Sequence, residues 1–396
     1  MDKEEKLFDE IERDYLGPSP YSEPSFVYLN RSARPEFQRT RNLLEEWFQH
    51  FPSQAKRDFR ERFRSEDDHH HYAAFFELYL FELFSRCGFS VEIHPEMDTK
   101  RTHPDFKVFK DGNPLFYLEA ALAGISKEKK SAQKRKNKII DAINKKIQSP
   151  NFFIGLEIHN ISTQDPPKGV LCRFLEEKIS NLDPDLIAEQ FDKFELKGLP
   201  KWNWECGGWR ITFYPIPKKV EARGKPGKRP IGCIHSGLHL VTPQIGIREA
   251  IKDKNSKYGE LDLPFMVALN VLDEFKPDNI DIGNALFGEE IVTIIFRGNE
   301  LIDQRPGRKP NGAWFGPKGP YNTRISAALI AVNLLPWNIA RVTPVLWQNP
   351  WASRPLSPEL LPFPKFLVGE DNHLEEFKGK NGWELLGLDP NWPEDK

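Results

Sequence analysis

The residues whose type and spacing best suit chemistry are two acids on short apolar runs, Asp105 in His103-Pro104-Asp105-Phe106 and Glu119 in Tyr117-Leu118-Glu119-Ala120-Ala121. Both runs read as strands, at 105–109 and 115–122, and the Asp111-Gly112-Asn113 turn between them predicts a hairpin that sets the two carboxylates side by side. Paired carboxylates suit a hard divalent cation such as Mg²⁺, with the Ala120 carbonyl as a further oxygen ligand. Such an ion polarises a phosphate and lowers the pKa of an attacking water. A third acid, Glu77, lies within a run that is apolar almost all round a helix, where an unpaired carboxylate costs several kcal/mol unless a cation meets it.

The elements that must position these acids follow in order. A helix is expected over 67–86, capped by Asp67 or Asp68 and stopped at Gly88. Strands are expected at 89–94, 105–109 and 115–122, then a basic helix over 126–146 and a strand at 151–159. This α-β-β-β-α-β order, with an acid on the first helix and acids on adjacent strands, resembles the PD-(D/E)xK, or restriction-endonuclease-like, nuclease superfamily. The resemblance covers roughly a quarter of the chain and implies an α/β fold that cleaves nucleic acid, DNA in the first instance and in defence or restriction, with Mg²⁺ or Mn²⁺. Pro104 and Asp105 then match the first motif and Glu119 the second, and the metal ligands would be Asp105, Glu119, Ala120 and Glu77. The motif lysine falls on Ala121. Lys107 is the nearest substitute, because residues i and i+2 of a strand share a face with each other, and Lys127, Lys130 and Lys134 are further candidates.

Residues 126–146 carry nine Lys or Arg and only two acids, Glu128 and Asp141, while Ile139, Ile140 and Ile143 form an apolar stripe. A second basic cluster spans 218–229, in a loop marked by Gly224, Pro226 and Gly227. Together, Lys127, Lys130, Lys134, Arg135, Lys138, Lys225, Lys228 and Arg229 are the residues that would contact a nucleic-acid backbone. A charge run is more commonly a solvated helix face, and that reading stands beside the first. His69, His70 and His71 read as solvated residues at a helix start, with His70 on the face of Glu77 as a possible metal ligand. Trp202, Trp204 and Trp209 read as core or domain-interface residues, or as platforms on which nucleobases stack.

Around this core the chain divides into a helical N-terminal extension at 1–66, a nuclease-like core at 67–200 and a C-terminal α/β extension at 201–396 with a proline-rich, irregular tail. Helices are expected at 3–16, 35–50, 53–64, 174–191 and 243–258, and strands at 209–215, 264–272, 291–296, 324–332 and 341–347. A net charge of -2 with 29% charged residues describes a soluble protein without an overall basic signal. Cys87, Cys172, Cys206 and Cys233 lie too far apart for a zinc pair or a disulfide framework, which points to a reducing cytoplasm. The polar start lacks the pattern of a signal peptide, and 325–340, interrupted by Asn333 and Pro336, is too short to span a membrane. Two other classes remain open: a nucleic-acid-binding protein that kept the fold and lost catalysis, and an interaction protein whose acids are structural.

Overall fold

The chain first forms α1 (Ser25–Arg31), α2 (Pro35–His50), α3 (Ser53–Phe63) and α4 (Asp68–Arg86), in a computed structural model that describes residues 5–97, 103–124, 127–225, 229–236, 243–369 and 373–394. Pro35 occupies the first position of α2, where its missing N–H costs nothing. Asp67 caps α4 by accepting from the His69 N–H at 2.8 Å. The N-terminal residues do not form the expected helix. Leu7 and Phe8 are buried, and their N–H groups donate to the Glu45 carboxylate at 3.1 and 2.8 Å, so tertiary bonds replace the helical ladder.

After α4 come β1 (Ser90–Ile93), β2 (Phe106–Lys110) and β3 (Asn113–Gly124), paired antiparallel in sequence order. The β2–β3 turn is the expected one, with positive φ at both Asp111 and Gly112. The next elements belong to a different compact unit. Residues 126–241 with 18–23 form one unit, and 1–17, 24–125 and 242–396 the other. The divisions expected at 66/67 and 200/201 are therefore replaced by a single insertion between residues 125 and 242.

The inserted unit holds α5 (Lys127–Lys146), β4 (Phe152–Asn160), α6 (Lys168–Ser180), α7 (Pro184–Phe194), β5 (Trp202–Cys206), β6 (Trp209–Pro217) and β7 (Ile231–Ser236). Its four strands are ordered β5-β6-β4-β7. Ile139 and Ile143 of α5 pack with Ile154, Leu156 and Ile158 of β4, so the expected amphipathic helix forms, but its sheet is separate from that of the acids. The single helix expected over 174–191 is two, because Asp183 caps a new helix that has Pro184 at its first position. The aromatic, turn-rich segment 201–209 is a hairpin turning at Gly207 and Gly208, with Trp204 and Trp209 in the core.

The chain re-enters the first unit with α8 (Pro243–Asn255) and β8 (Phe265–Leu272), and β8 pairs parallel with β3. There follow α9 (Asn279–Phe287), the ribbon of β9 (Glu290–Arg297) and β10 (Glu300–Arg308), a short β11 (Phe315–Gly316) and β12 (Gly319–Pro320), then β13 (Ala327–Val332), β14 (Val345–Gln348), β15 (Lys365–Val368), β16 (Leu374–Phe377) and α10 (Gly382–Leu386). The proline-rich tail is thus less irregular than expected. Its β15 and β16 complete an eight-stranded mixed sheet ordered β1-β2-β3-β8-β13-β14-β15-β16.

Both faces of this sheet are covered, which is why β8 reads FMVALNVL with almost no alternation. On one face Phe106, Val108, Leu118 and Met266 pack with the aromatic residues of α2, α3 and α4. On the other, Val267, Leu269 and Ile330 pack with Ile247 and Ile251 of α8 and with Leu286 of α9. Among the described residues no helix is long and apolar enough to cross a membrane.

Candidate functional site

The candidate site lies wholly in the first unit. The β2–β3 register pairs Phe106 with Leu118, and continuing it by one residue sets Asp105 opposite Glu119. The backbone locks this arrangement from two sides. The Ala120 N–H donates to Asp105 Oδ2 at 2.8 Å, and the Asp105 carbonyl accepts from the His94 N–H at 2.8 Å. His94 has a φ of 50, a left-handed bend that ends β1 beside the acids, and its ring lies 4.7 Å from that of His103.

Glu119 is only 1% exposed, and three donors converge on it. Lys254 Nζ and Lys257 Nζ lie 2.6 and 2.7 Å from Oε1, and the Tyr258 hydroxyl donates to Oε2. All three come from the C-terminal end of α8 and the turn after it. Parallel pairing of β3 with β8 brings that helix back across β3, and Ile247 and Ile251 anchor it in the core beneath. Burial opposes ionisation of Glu119, but Lys254, then Lys257 and Tyr258, outweigh it and hold the carboxyl below its ordinary range. Tyr258 is driven the other way, by burial and by the Glu119 charge.

Asp105 behaves oppositely. Burial, then the Glu119 and Glu77 carboxylates, push it up to about 7, against the lowering influence of the Ala120 N–H and Lys257. The two acids are therefore biased in opposite directions, Glu119 toward the carboxylate and Asp105 toward the protonated acid.

Glu77 is the paired alternative foreseen for a buried acid. Arg62 of α3 grips it with two parallel bonds, Nη1 to Oε1 at 2.6 Å and Nη2 to Oε2 at 2.8 Å, and also bonds Asp58. Although burial opposes the Arg62 charge, Glu77 and Asp58 raise the guanidinium above its ordinary value. The fork takes one lone-pair position on each Glu77 oxygen and supplies the opposite charge that a buried acid requires.

Lys107 shares the expected face, yet it is not the ammonium at the acids. The register pairs it with Tyr117, two residues before Glu119, and its Nζ lies 5.6 Å over the Tyr117 and Phe109 rings. Ala121 packs against the core on the α8 side. Lys254 and Lys257 were missed because they lie in the last turn of an ordinary amphipathic helix and just beyond it, more than 130 residues after Glu119, as the separations of 135 and 138 record.

The histidine run also divides. His69 and His70 are exposed, but His71 is fully buried among Phe26 and Phe63, with Nδ1 2.5 Å from the Phe63 carbonyl. Burial lowers its pKa to about 4, so it is a neutral core residue and not a solvated one.

The expected nucleic-acid contacts belong to the inserted unit, and several have structural work there. Arg135 Nε donates to the Ser162 carbonyl at 2.6 Å, Lys138 Nζ lies 2.8 Å from both oxygens of Asp165, and Arg229 donates to the Ser19 carbonyl over the Tyr21 ring. Lys130, Lys134 and Lys225 are exposed, whereas Lys228 and the Lys127 side chain lie outside the described residues.

Among the described residues no group of three or more His, Cys, Asp or Glu side chains is placed to hold a metal ion. The oxygens present nevertheless suit a hard cation. A carboxylate offers about four lone-pair positions, and three on Glu119 are used, which leaves one on Oε2. Since the N–H and C=O of a strand residue point the same way, the Ala120 carbonyl faces the Asp105 side with its N–H. No family model, curated protein or solved structure matches this chain.

Proposed function

We propose that the chain is a metal-dependent nuclease whose centre is Asp105, Glu119 and the Ala120 carbonyl, with Lys254 and Lys257 standing in for the lysine that Ala121 replaces. The observation that carries this reading is the meeting of two carboxylates and two ammonium groups at one point of the sheet, Glu119 lying opposite Asp105 and within 2.7 Å of both lysines. The element order supports it as well. α4–β1–β2–β3 followed by α8–β8 is an α-β-β-β-α-β series, with the inserted unit between β3 and α8, and this suits a restriction-endonuclease-like core.

A Mg²⁺ or Mn²⁺ ion held by Asp105, Glu119 and Ala120 would polarise a phosphate and acidify its water. The protein's own groups supply the rest. Lys254 and Lys257 keep Glu119 ionised and place positive charge where a phosphodiester would sit. Asp105, raised by burial and by its neighbouring carboxylates, would give up its proton when it serves as a ligand, so metal binding would be coupled to proton release. Arg62 holds Glu77 at the rim, where its charge raises Asp105.

A second reading is favoured by the crowding of Glu119: with three donors already on it, the site suits a nuclease-like protein that binds nucleic acid without cutting it. One assay separates the two. Purified protein is incubated with single- and double-stranded DNA and with RNA, with Mg²⁺, Mn²⁺ or EDTA. Metal-stimulated cleavage is expected, reduced at least about 100-fold in Asp105→Ala and Glu119→Ala, each shown folded by circular dichroism. Wild-type protein inert on every substrate, or cleavage unchanged in both variants, refutes the nuclease reading.

A further inference from the structure

Among the described residues the β9–β10 ribbon is a long element of the first unit that stands apart from its core, since none of residues 290–308 belongs to either buried cluster. Cross-strand partners share a face, and the register pairs Phe296 with Leu301, Ile294 with Gln304 and Val292 with Pro306. One face therefore carries Val292, Ile294, Phe296 and Leu301, each more than half exposed, with no charge between the Glu290–Arg308 ion pair at its root and the turn at Gly298. The opposite face is mixed, with the less exposed Ile291 and Ile295 set among Thr293, Arg297, Glu300, Asp303 and Arg305. A two-stranded ribbon with no core beneath it is marginal in water, and a third strand or a packed face is what stabilises it.

The two open edges differ. The edge of β10 is blunted by Pro306, by a register shift between Leu301 and Asp303, and by charges at Asp303 and Arg305. β9 reads Glu290-Ile-Val-Thr-Ile-Ile-Phe-Arg297, with no proline, no bulge and no charge between its ends. Devices that prevent strand addition are present on one edge and missing from the other.

We propose that β9 pairs antiparallel with β9 of a second copy of this chain, about a two-fold axis at Ile294. Ile294 then faces its own counterpart and Val292 faces Phe296 of the other copy, in one four-stranded sheet with a continuous apolar face. β9 begins with an acid and ends with a base, so the antiparallel arrangement sets the Glu290 end of each copy beside the Arg297 end of the other, where a parallel one would juxtapose like charges. An isologous contact of this kind closes at two copies.

The test is sedimentation velocity on the full chain over a concentration series, for wild type, Ile294→Lys and Gln304→Lys. Wild type is expected to dimerise. Ile294→Lys places two ammonium groups at the axis and removes two apolar contacts, so it should raise the dissociation constant at least about 100-fold. Gln304→Lys adds the same charge to the same face on the blunted strand and should leave the constant within about threefold. Circular dichroism establishes that both variants are folded, as exposed positions allow. A wild type that stays monomeric, a dimer indifferent to Ile294→Lys, or one equally disrupted by Gln304→Lys overturns the proposal.

Discussion

Replacing Asp105 by Asn separates the electrostatic strain of the site from its chemistry. The Asn side-chain oxygen can still accept from the Ala120 N–H, while the charge that burial, Glu119 and Glu77 oppose is removed. Asp105 is raised from 3.8 to about 7, so between those values the native protein holds a proton that the unfolded chain has released. Stability contributed by this residue therefore falls as pH rises from about 4 to about 7 and is level above. At about 1.4 kcal/mol per pH unit, that interval sets a ceiling of about 4 kcal/mol, and relaxation around the ionised pair reduces the expected value to about 1–3 kcal/mol. Urea unfolding in EDTA should find Asp105→Asn equal to wild type near pH 4 and more stable by that amount at pH 8. If an ion is held by the native carboxylate as proposed, Mg²⁺ should then stabilise wild type more than the variant. A stability difference that does not grow from pH 4 to pH 8, or a variant less stable at pH 8, refutes the claim that Asp105 is held under strain by its neighbours.

The lysines and the Arg62 fork give two further tests. Lys254→Ala/Lys257→Ala should lower metal-dependent cleavage about 100-fold, with Lys107→Ala within about twofold of wild type, in a single-turnover assay; a large loss for Lys107→Ala alone would return the role to that residue. Arg62→Ala leaves the Glu77 carboxylate without its fork and should cost about 1–3 kcal/mol in urea unfolding. Adding Glu77→Ala should restore part of that loss, and a further loss of similar size would mean that the two residues do not act as a pair.

What could be read from the sequence is what is local. Pro35 and Asp67 mark helix starts by their own backbone chemistry, and Asp111-Gly112 closes a hairpin whose register then sets Asp105 opposite Glu119. Those signals need no knowledge of the rest of the chain. The basic helix after β3 looked like the next layer of the same core because nothing in residues 126–146 distinguishes a crossover helix from the start of an insertion. Its apolar stripe is satisfied equally well by either sheet. The true continuation, α8 and β8, lies beyond residue 242, and its claim on the core rests on parallel pairing between Tyr117–Gly124 and Phe265–Leu272. Parallel pairing has no turn to announce it and no alternation to reveal its face, since strands covered on both sides are apolar throughout. Lys254 and Lys257 were obscured for the same reason. Lysines in and just after the last turn of a helix are ordinarily solvated partners of its dipole. They become site residues because Gly246 lies against the backbone of Gly124 at one end of β3, so that α8, running back along the strand, ends beside Glu119. A Cβ on Gly246 would meet the Gly124 carbonyl oxygen at 2.7 Å. The approach that delivers both ammonium groups thus depends on a glycine some eight residues away from the nearer of them, in a helix whose sequence otherwise advertises only an amphipathic surface.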